Sequence, residues 1–370
     1  MRRYTLMALL AAAACSDGLD EVEDVRDLRV LALRADPPEV FVDQDPQAIV
    51  TFSALVVDPR QAPLATTPID YAFQFCPVES NEGCLDYDKR RAEASEESRP
   101  LLDGLRGLAE DGIANSEAEA RSLTPAEASE RGAWPYAILP FTLALTPTET
   151  QNLAIYFFET NRIGLGMGSL PSVSLAVSGA DDAFTAEKRF VFNVANPGAA
   201  AAQLGVDFGY PVCESGEDES AGCVALRPRV RNSNPSFDRI QVSLGALANG
   251  EFADVQSTGF TMRGSSVIRI LPVMTGDSYE PFQELVTNPS TGRISARDLT
   301  EVISVSWFAT AGDLQDPLTT PLYTKSLDTE YRSPPIDAVP PEGMMVSVFM
   351  VARDQRGGVA WQNLEIFVTK

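Results

Sequence analysis

Two C-terminal stretches decide the fold: Val302 to Leu314 (VISVSWFATAGDL) and Met345 to Trp361 (MVSVFMVARDQRGGVAW). Apolar and small polar residues alternate in the first stretch, a period of two that is typical of a β-strand with one buried face. Trp307 lies in the middle of this stretch and is expected to fill the space between two sheets. Asp354, Gly357 and Gly358 are expected to form the turn of the last hairpin.

Similar short apolar alternations, bounded by Pro, Gly, Asn and Asp, recur along the rest of the chain. Strands separated by turns in this way predict β-sandwiches rather than a helical fold. A boundary is expected near residue 197, where the sequence reads NPGAAAA from Asn196. The predicted strands are 28–34, 48–57, 71–75, 153–158, 173–177 and 190–194 before this boundary, and 224–230, 239–244, 259–262, 266–273, 302–309, 345–352 and 364–368 after it.

One segment, about 87–131, departs from the strand pattern. It is rich in Ala, Glu, Arg and Leu, which favour helices, and Thr124-Pro125 resembles a helix N-cap followed by a first-turn proline. Its glycines weaken any long continuous helix. We therefore expect a helical or irregular insertion between two strands, either a functional loop or a solvated excursion without a ligand.

The C-terminal stretches resemble bacterial immunoglobulin-like domains of the PKD or cadherin-like kind, over about residues 299–370. The resemblance rests on the strand tryptophan, the Gly-Asp turn, the Pro-Pro segment after Ser333 and the Asp-x-x-Gly-Gly turn. The segment from Leu28 to Val40 (LRVLALRADPPEV) resembles the first strand of such domains in predicted surface lipoproteins. Together these features imply an all-β fold with two immunoglobulin-like β-sandwiches in tandem, the first with the helical insertion. The expected bounds are 28–196 for the first, 197–223 for a linker and 224–370 for the second.

The N-terminus has the organisation of an export signal. Residues 1–14 combine a short basic start with about ten apolar residues, too few to span a bilayer, and small residues precede Cys15. The run from Ala12 to Cys15 resembles the lipobox of bacterial lipoproteins, which implies lipidation of Cys15, although an ordinary signal peptide is the alternative. Ser16 then implies sorting to the outer membrane. Residues 15–27, which are rich in Asp and Glu, are expected to form a flexible tether.

The four remaining cysteines form two close pairs in the sequence. Cys76 and Cys84 flank one polar, turn-rich loop, and Cys213 and Cys223 flank another. In an exported protein they are first interpreted as disulfides, and of the three possible connectivities short loop closure favours 76–84 and 213–223. A zinc site is disfavoured because the short Cys-x₂₋₄-Cys spacing is absent.

Composition excludes several classes of function. The chain of 370 residues has no histidine and a formal net charge of −23. Without histidine there is no Ser-His-Asp triad and no His-ligated metal site. The acid surplus makes nucleic acid a poor partner, because phosphate binding depends on clustered Lys and Arg.

The remaining candidate ligands are acidic. Glu214, Glu217, Asp218 and Glu219 cluster in the second cysteine-bounded loop and are weak calcium candidates, without a recognised ligand motif. We expect no other cofactor and no catalytic residues. The expected function is a lipid-anchored envelope protein of binding or structural type, whose partner is an envelope protein or a polysaccharide. The alternatives are a carboxylate- or metal-dependent hydrolase acting on polysaccharide and a calcium-dependent adhesive module.

Overall fold

The structure is a computed structural model, and the elements that it describes are nearly all β-strands. It describes residues 24–45, 47–59, 69–76, 79–80, 83–84, 92, 96, 99–100, 103–104, 107, 121–123, 136–152, 171–179, 183–189, 191–193, 195, 229–244, 251–257, 259–287 and 294–370. Within these ranges no helix is long and apolar enough to cross a membrane.

The strands are numbered in chain order. The first eleven are β1 (Arg29–Asp36), β2 (Glu39–Phe41), β3 (Ile49–Val57), β4 (Ile69–Cys76), β5 (Glu79–Ser80), β6 (Gly83–Cys84), β7 (Arg121–Leu123), β8 (Tyr136–Ala144), β9 (Ser172–Ser178), β10 (Ala183–Arg189) and β11 (Val191–Asn193). The others are β12 (Phe237–Leu244), β13 (Ala253–Val255), β14 (Phe260–Arg263), β15 (Val267–Met274), β16 (Pro281–Thr287), β17 (Ile294–Thr300), β18 (Ser304–Ala309), β19 (Asp313–Leu314), β20 (Leu318–Thr319), β21 (Thr329–Arg332), β22 (Met344–Arg353) and β23 (Val359–Thr369). A 3-10 helix, Gly276–Ser278, precedes β16.

The first sandwich consists of the three-stranded sheet β1-β3-β8 and the four-stranded sheet β10-β9-β4-β7. Both sheets contribute alternate residues to one apolar core. The rings of Phe73 in one sheet and Phe141 in the other stack with centroids 5.0 Å apart. A short parallel ribbon, β2 with β11, pairs the beginning of this unit with its end.

The second sandwich consists of the five-stranded sheets β13-β12-β15-β21-β19 and β14-β23-β22-β18-β20. Its core includes Trp307, which is fully buried, as its position in the sequence predicted. The Trp307 indole N–H donates to Thr319 Oγ1 at 2.8 Å, and the Tyr331 hydroxyl donates to the Ala311 carbonyl at 2.9 Å. The early strand β14 pairs in parallel with the last strand, β23. Between β15 and β18, β16 and β17 form a separate two-stranded arm.

The prediction of an all-β fold is confirmed, and the facing sheets are consistent with the predicted immunoglobulin-like sandwiches. The tandem arrangement with bounds 28–196 and 224–370 stays a prediction. Within 87–131, the few described residues before 108 include helical ones, whereas Arg121–Leu123 is strand β7. Most of that segment lies outside the described residues, and its helical character stays a prediction.

Residues 147–152 are helical, and this helix begins with a capping box that links the two ends of its first turn. The Thr146 backbone N–H donates to the Glu149 carboxylate at 2.6 Å, and the Glu149 backbone N–H donates to Thr146 Oγ1 at 3.3 Å. Pro147 supplies the preset φ of a first helical turn. One residue of this helix, Thr150, accepts a hydrogen bond from the Ala48 N–H at the start of β3, which attaches the helix to the first sandwich.

Candidate functional site at the junction of the two sandwiches

The two sandwiches meet through the outer faces of two sheets. On the first sandwich, β1 contains a β-bulge, since its register against β3 shifts between Val30 and Ala32. The extra residue changes which side chains face inward, so Val30 and Leu33 face the first core while Leu31 and Ala32 face outward. The bulge therefore produces the apolar outer surface of this strand.

These outward side chains form a third apolar cluster together with the outer face of the second sandwich. Phe349 and Val351 come from β22, whose residues from Val346 to Ala352 are all buried. A strand normally buries alternate residues, but β22 has one sandwich on each side and therefore buries both faces. The buried members of the cluster are Val25, Leu31, Ala32, Leu55, Val57, Phe349, Val351 and Val359.

The N-terminal segment also joins this cluster. Val25 is fully buried, and its backbone N–H donates to the Ala309 carbonyl at 2.9 Å. Asp24 forms a parallel bridge with Ala309, at the end of β18. The described part of the expected tether, residues 24–27, is thus docked on the second sandwich and is not free.

Beside the apolar cluster, Arg356 binds three carboxylates from different parts of the chain. Its guanidinium lies 2.6 Å from Glu39 of the first sandwich and 3.4 Å from each of Glu280 and Glu301, which flank the β16-β17 arm. It also donates to the Val230 carbonyl at 2.8 Å. Arg356 therefore connects the first sandwich, the segment that precedes β12 and the arm at one point.

The predicted Asp-x-x-Gly-Gly turn holds Arg356 in this position. The Asp354 carboxylate accepts backbone N–H bonds from Arg356 at 2.8 Å and from Gly358 at 2.7 Å. Gly357 has a φ of +98°, and a Cβ on Gly358 would lie 2.0 Å from Asp354 Oδ2. Both glycines are therefore required for the turn.

The chain that connects the sandwiches runs through the junction and is bonded on both sides. The Asn232 backbone N–H donates to Glu39 at 2.8 Å, and the Asn234 amide donates to the Ala35 carbonyl at 2.8 Å. In return, the Asn234 side-chain oxygen accepts from the Val359 N–H at 2.8 Å. These bonds fix the first sandwich to the last hairpin of the second.

Two ionisable side chains of the junction have shifted pKa values. Burial, reinforced by the Asp354 carboxylate, raises the pKa of Glu301 to about 7, and the Arg356 guanidinium opposes that shift. Burial lowers the pKa of Lys188 to about 8, although the Asp354 carboxylate opposes it. Lys188 donates to the Gly357 carbonyl and so connects β10 to the same turn. Two groups of the junction thus titrate close to neutral pH.

A raised glutamate pKa would suit a general acid, but the geometry favours a structural role. The Glu301 side chain is only 1% exposed, so a substrate cannot reach it. Both oxygens of the neighbouring Glu39 carboxylate accept hydrogen bonds from protein groups. Among the described residues no group of three or more Cys, Asp and Glu could hold a metal ion.

A cleft of about 460 Å³ opens next to Arg356, between the arm and the first sandwich. Phe282 and Leu299 of the arm face each other across its two strands, and Arg356 lies 5.7 Å from the centroid of the Phe282 ring. Glu39, Asn193 and the 65% exposed Val230 line the other side. The cleft combines apolar surface with amide and carboxylate groups, which suits it to hold part of a partner molecule.

Most of the site residues predicted from sequence cannot be compared with the junction. Cys15, Cys213, Cys223 and the calcium candidates Glu214, Glu217, Asp218 and Glu219 lie outside the described residues. Cys76 ends β4 and is disulfide-bonded. Strands β5 and β6 follow Cys76 and pair with each other, with Glu79 opposite Cys84. The disulfide between Cys76 and Cys84 stays a prediction.

The junction was not predicted from the sequence. Glu39, Glu280, Glu301 and Arg356 are far apart in the chain, and no local motif connects them. One signal was available, because the segment from Val346 to Ala352 is apolar at every position except Ser347. Such a run indicates a strand with two covered faces, and hence a neighbour outside its own sandwich.

Comparison with known proteins adds little. No protein-family model and no curated protein matches the sequence. Among solved structures, the chain is similar to one described as the D0-D1 domain of Intimin, with 10% sequence identity and a TM-score of 0.19. The match covers 91% of this chain and 98% of that one. At this TM-score it carries no argument about fold or function.

Proposed function

We propose that the chain is a lipid-anchored cell-envelope protein of binding or structural type, with two immunoglobulin-like sandwiches in tandem and no catalytic activity. The observation that carries the proposal is the junction, where buried apolar and ionic contacts join the two sandwiches. Such contacts hold the parts of a long chain in one orientation, which serves a scaffold that presents fixed surfaces.

The proposed binding surface is the cleft between the arm and the first sandwich. Its walls come from separate parts of the chain, so only the assembled junction forms it. An envelope protein or a polysaccharide is the proposed partner, and the partly buried Phe282 and Leu299 provide apolar contact beside polar groups.

This surface can be tested by capture of envelope components on the immobilised protein. Val230→Glu places a charge in the cleft, and Leu244→Glu is the control because Leu244 is 76% exposed on another sheet. We expect a component that the unchanged protein and the Leu244 variant retain and the Val230 variant loses. Equal capture by all three proteins would show that the cleft is not the binding surface.

Anchoring through Cys15 at the outer membrane is part of the same proposal and has its own test. Cys15→Ser removes the thiol that would carry the lipid. When cells are separated into membrane and soluble fractions, we expect the unchanged protein in the membrane fraction and the variant in the soluble fraction. A variant that remains in the membrane fraction would contradict lipid anchoring.

The proposal includes no cofactor, and calcium is the alternative to test. The acidic cluster at 214–219 is the place where calcium would act. Thermal unfolding with calcium and with a chelator is expected to give the same midpoint. A higher midpoint in calcium, lost in a Glu217→Gln and Asp218→Asn double variant, would favour the calcium-dependent adhesive module instead.

A further inference from the structure

One turn of the second sandwich presents apolar side chains to water. We call residues 318–324 the Leu322 turn; they comprise β20 and the residues after it. Leu322 is 64% exposed and Tyr323 is 85% exposed. Adjacent exposed Leu and Tyr side chains are typical of a surface that contacts an apolar partner.

The Leu322 turn is fixed by its own hydrogen bonds. The backbone N–H groups of Tyr323 and Thr324 both donate to the Thr320 carbonyl, at 3.0 and 2.9 Å. At its base, Thr319 Oγ1 accepts from the buried Trp307 and donates to the Leu327 carbonyl at 2.8 Å. The two exposed side chains are therefore held outward by a turn attached to the core.

The N-terminal segment reaches the same edge of the same sheet. Strand β18 pairs with β22 along one edge, from Ser304 to Ala309. Its other edge pairs with β20 at Val305 and Ser306, and with Asp24 at Ala309. Ala309 is three residues after Ser306 along the strand, a distance of about 10 Å. Because β20 is antiparallel to β18, the chain after Leu318 leads away from Ala309. The docked segment and the Leu322 turn thus lie along one sheet edge, with β20 between them.

Covalent geometry then limits how far this edge can lie from a lipid at Cys15. Nine residues lead from Cys15 to Asp24. Even fully extended they span only about 30 Å. A lipid at Cys15 therefore holds Asp24, at one end of this edge, within about 30 Å of the bilayer surface.

We propose that the β20 edge of the second sandwich faces the lipid surface, and that Leu322 and Tyr323 contact it. This inference rests on the proposed lipid anchor. Tyr is suited to the boundary between acyl chains and headgroups, because its ring is apolar and its hydroxyl is polar. The chain's formal charge of −23 disfavours attraction to anionic headgroups, so the proposed contact is apolar.

The test measures the depth of a tryptophan in the membrane. Tyr323→Trp reports on the Leu322 turn, and Leu244→Trp is the matched control, an exposed apolar position on the other sheet. The full lipidated protein is placed in vesicles of phosphatidylethanolamine and phosphatidylglycerol with brominated acyl chains, which quench nearby tryptophan. After subtraction of the signal of the unchanged protein, we expect at least twofold stronger quenching for the Tyr323 variant than for the Leu244 variant, measured at high salt, which screens repulsion between the acidic chain and the anionic headgroups.

Different failures of this experiment have different meanings. If the unchanged protein does not float with vesicles, or floats equally well with Cys15→Ser, the anchor itself is wrong. If the protein floats through Cys15 but both tryptophans are quenched equally, the anchor holds and the orientation is wrong. Without vesicles, a blue shift in the emission of the Tyr323→Trp variant that depends on protein concentration would assign the Leu322 turn to a second copy of the chain. That result would also overturn the inference.

Discussion

The interior of the second sandwich and the junction between the sandwiches both exclude water, but with different chemistry. Inside the sandwich, alternate apolar residues surround Trp307, and its one polar atom is hydrogen-bonded. At the junction, an apolar cluster lies next to Arg356 and its three carboxylates. We therefore expect the stability of each sandwich to depend on packing. The coupling between the two sandwiches should depend on charge and pH as well.

The largest effect is expected from the sandwich interior. Trp307→Ala removes a fully buried side chain and leaves a cavity. We expect the free energy of unfolding to fall by about 3–5 kcal/mol, measured by denaturant titration. The control is Tyr323→Ala, an exposed aromatic in the same sandwich, which should change it by less than about 0.5 kcal/mol. Similar losses for both variants would contradict the assignment of the core.

The charged part of the junction gives the next largest effect. Arg356→Met leaves Glu39, Glu280 and Glu301 without their shared cation, and we expect a loss of about 3 kcal/mol at pH 7.5. Part of the loss should be regained at pH 5.5, where Glu301 takes up a proton. Arg297→Met, which breaks an exposed ion pair with Glu284, should cost under about 1 kcal/mol. Equal costs for the two variants would show that Arg356 is only a surface charge.

The docked N-terminal segment should contribute less. Val25→Ala removes two buried carbons, for an expected loss of about 2 kcal/mol in the free energy of unfolding. Arg26→Ala alters the adjacent, exposed residue and should have almost no effect. If neither variant changes stability, the segment is not docked in solution, and a lipid at Cys15 would not hold the β20 edge near the bilayer.

The smallest effect is expected in the pH dependence of the free energy of unfolding. A glutamate whose folded pKa is raised from 4.5 to about 7 favours folding below its unfolded pKa, and this contribution is lost as pH rises through 7. A lysine whose pKa is lowered from 10.5 to about 8 favours folding above its unfolded pKa, and this contribution is lost as pH falls through 8. The combined contribution of Glu301 and Lys188 should therefore be smallest between about pH 7 and 8.

Glu301→Gln isolates the acidic half of this prediction, because glutamine resembles the protonated acid. Denaturation midpoints are measured at pH 5.5, 7.5 and 9. The midpoint of the unchanged protein should be lower at pH 7.5 than at pH 5.5, and this decrease should be smaller in the variant. Between 7.5 and 9 both proteins should gain stability through Lys188. The same slope from 5.5 to 7.5 in both proteins would assign the pH effect to other groups.

The sequence predicted most strands of the second sandwich because their apolar residues alternate. It did not predict β8, because Pro140 is atypical of a strand interior. Pro140 is exposed on an edge strand, where the missing N–H breaks no ladder bond that the sheet requires. The arm formed by β16 and β17 was also missed, because its residues mix charged, polar and apolar types without clear alternation.

The candidate site was harder to predict than the fold. The Asp354, Gly357 and Gly358 turn was visible in the sequence, but not that it places Arg356 among Glu39, Glu280 and Glu301. Such contacts depend on how two sandwiches pack, and local patterns contain no information about that. The bulge in β1 shows the same limit, since it changes the side of the sheet that Leu31 faces without any glycine or proline to mark it.

Thermal unfolding of the full chain, followed by calorimetry, tests most directly whether the junction couples the two sandwiches. We predict one cooperative transition for the unchanged protein. Leu31→Glu puts a charge into the apolar cluster from an edge strand and should split that transition into two. The control Ile49→Glu, at an exposed position of the same sheet, should keep one. Two separate transitions in the unchanged protein, with neither moved by Leu31→Glu, would contradict the coupling.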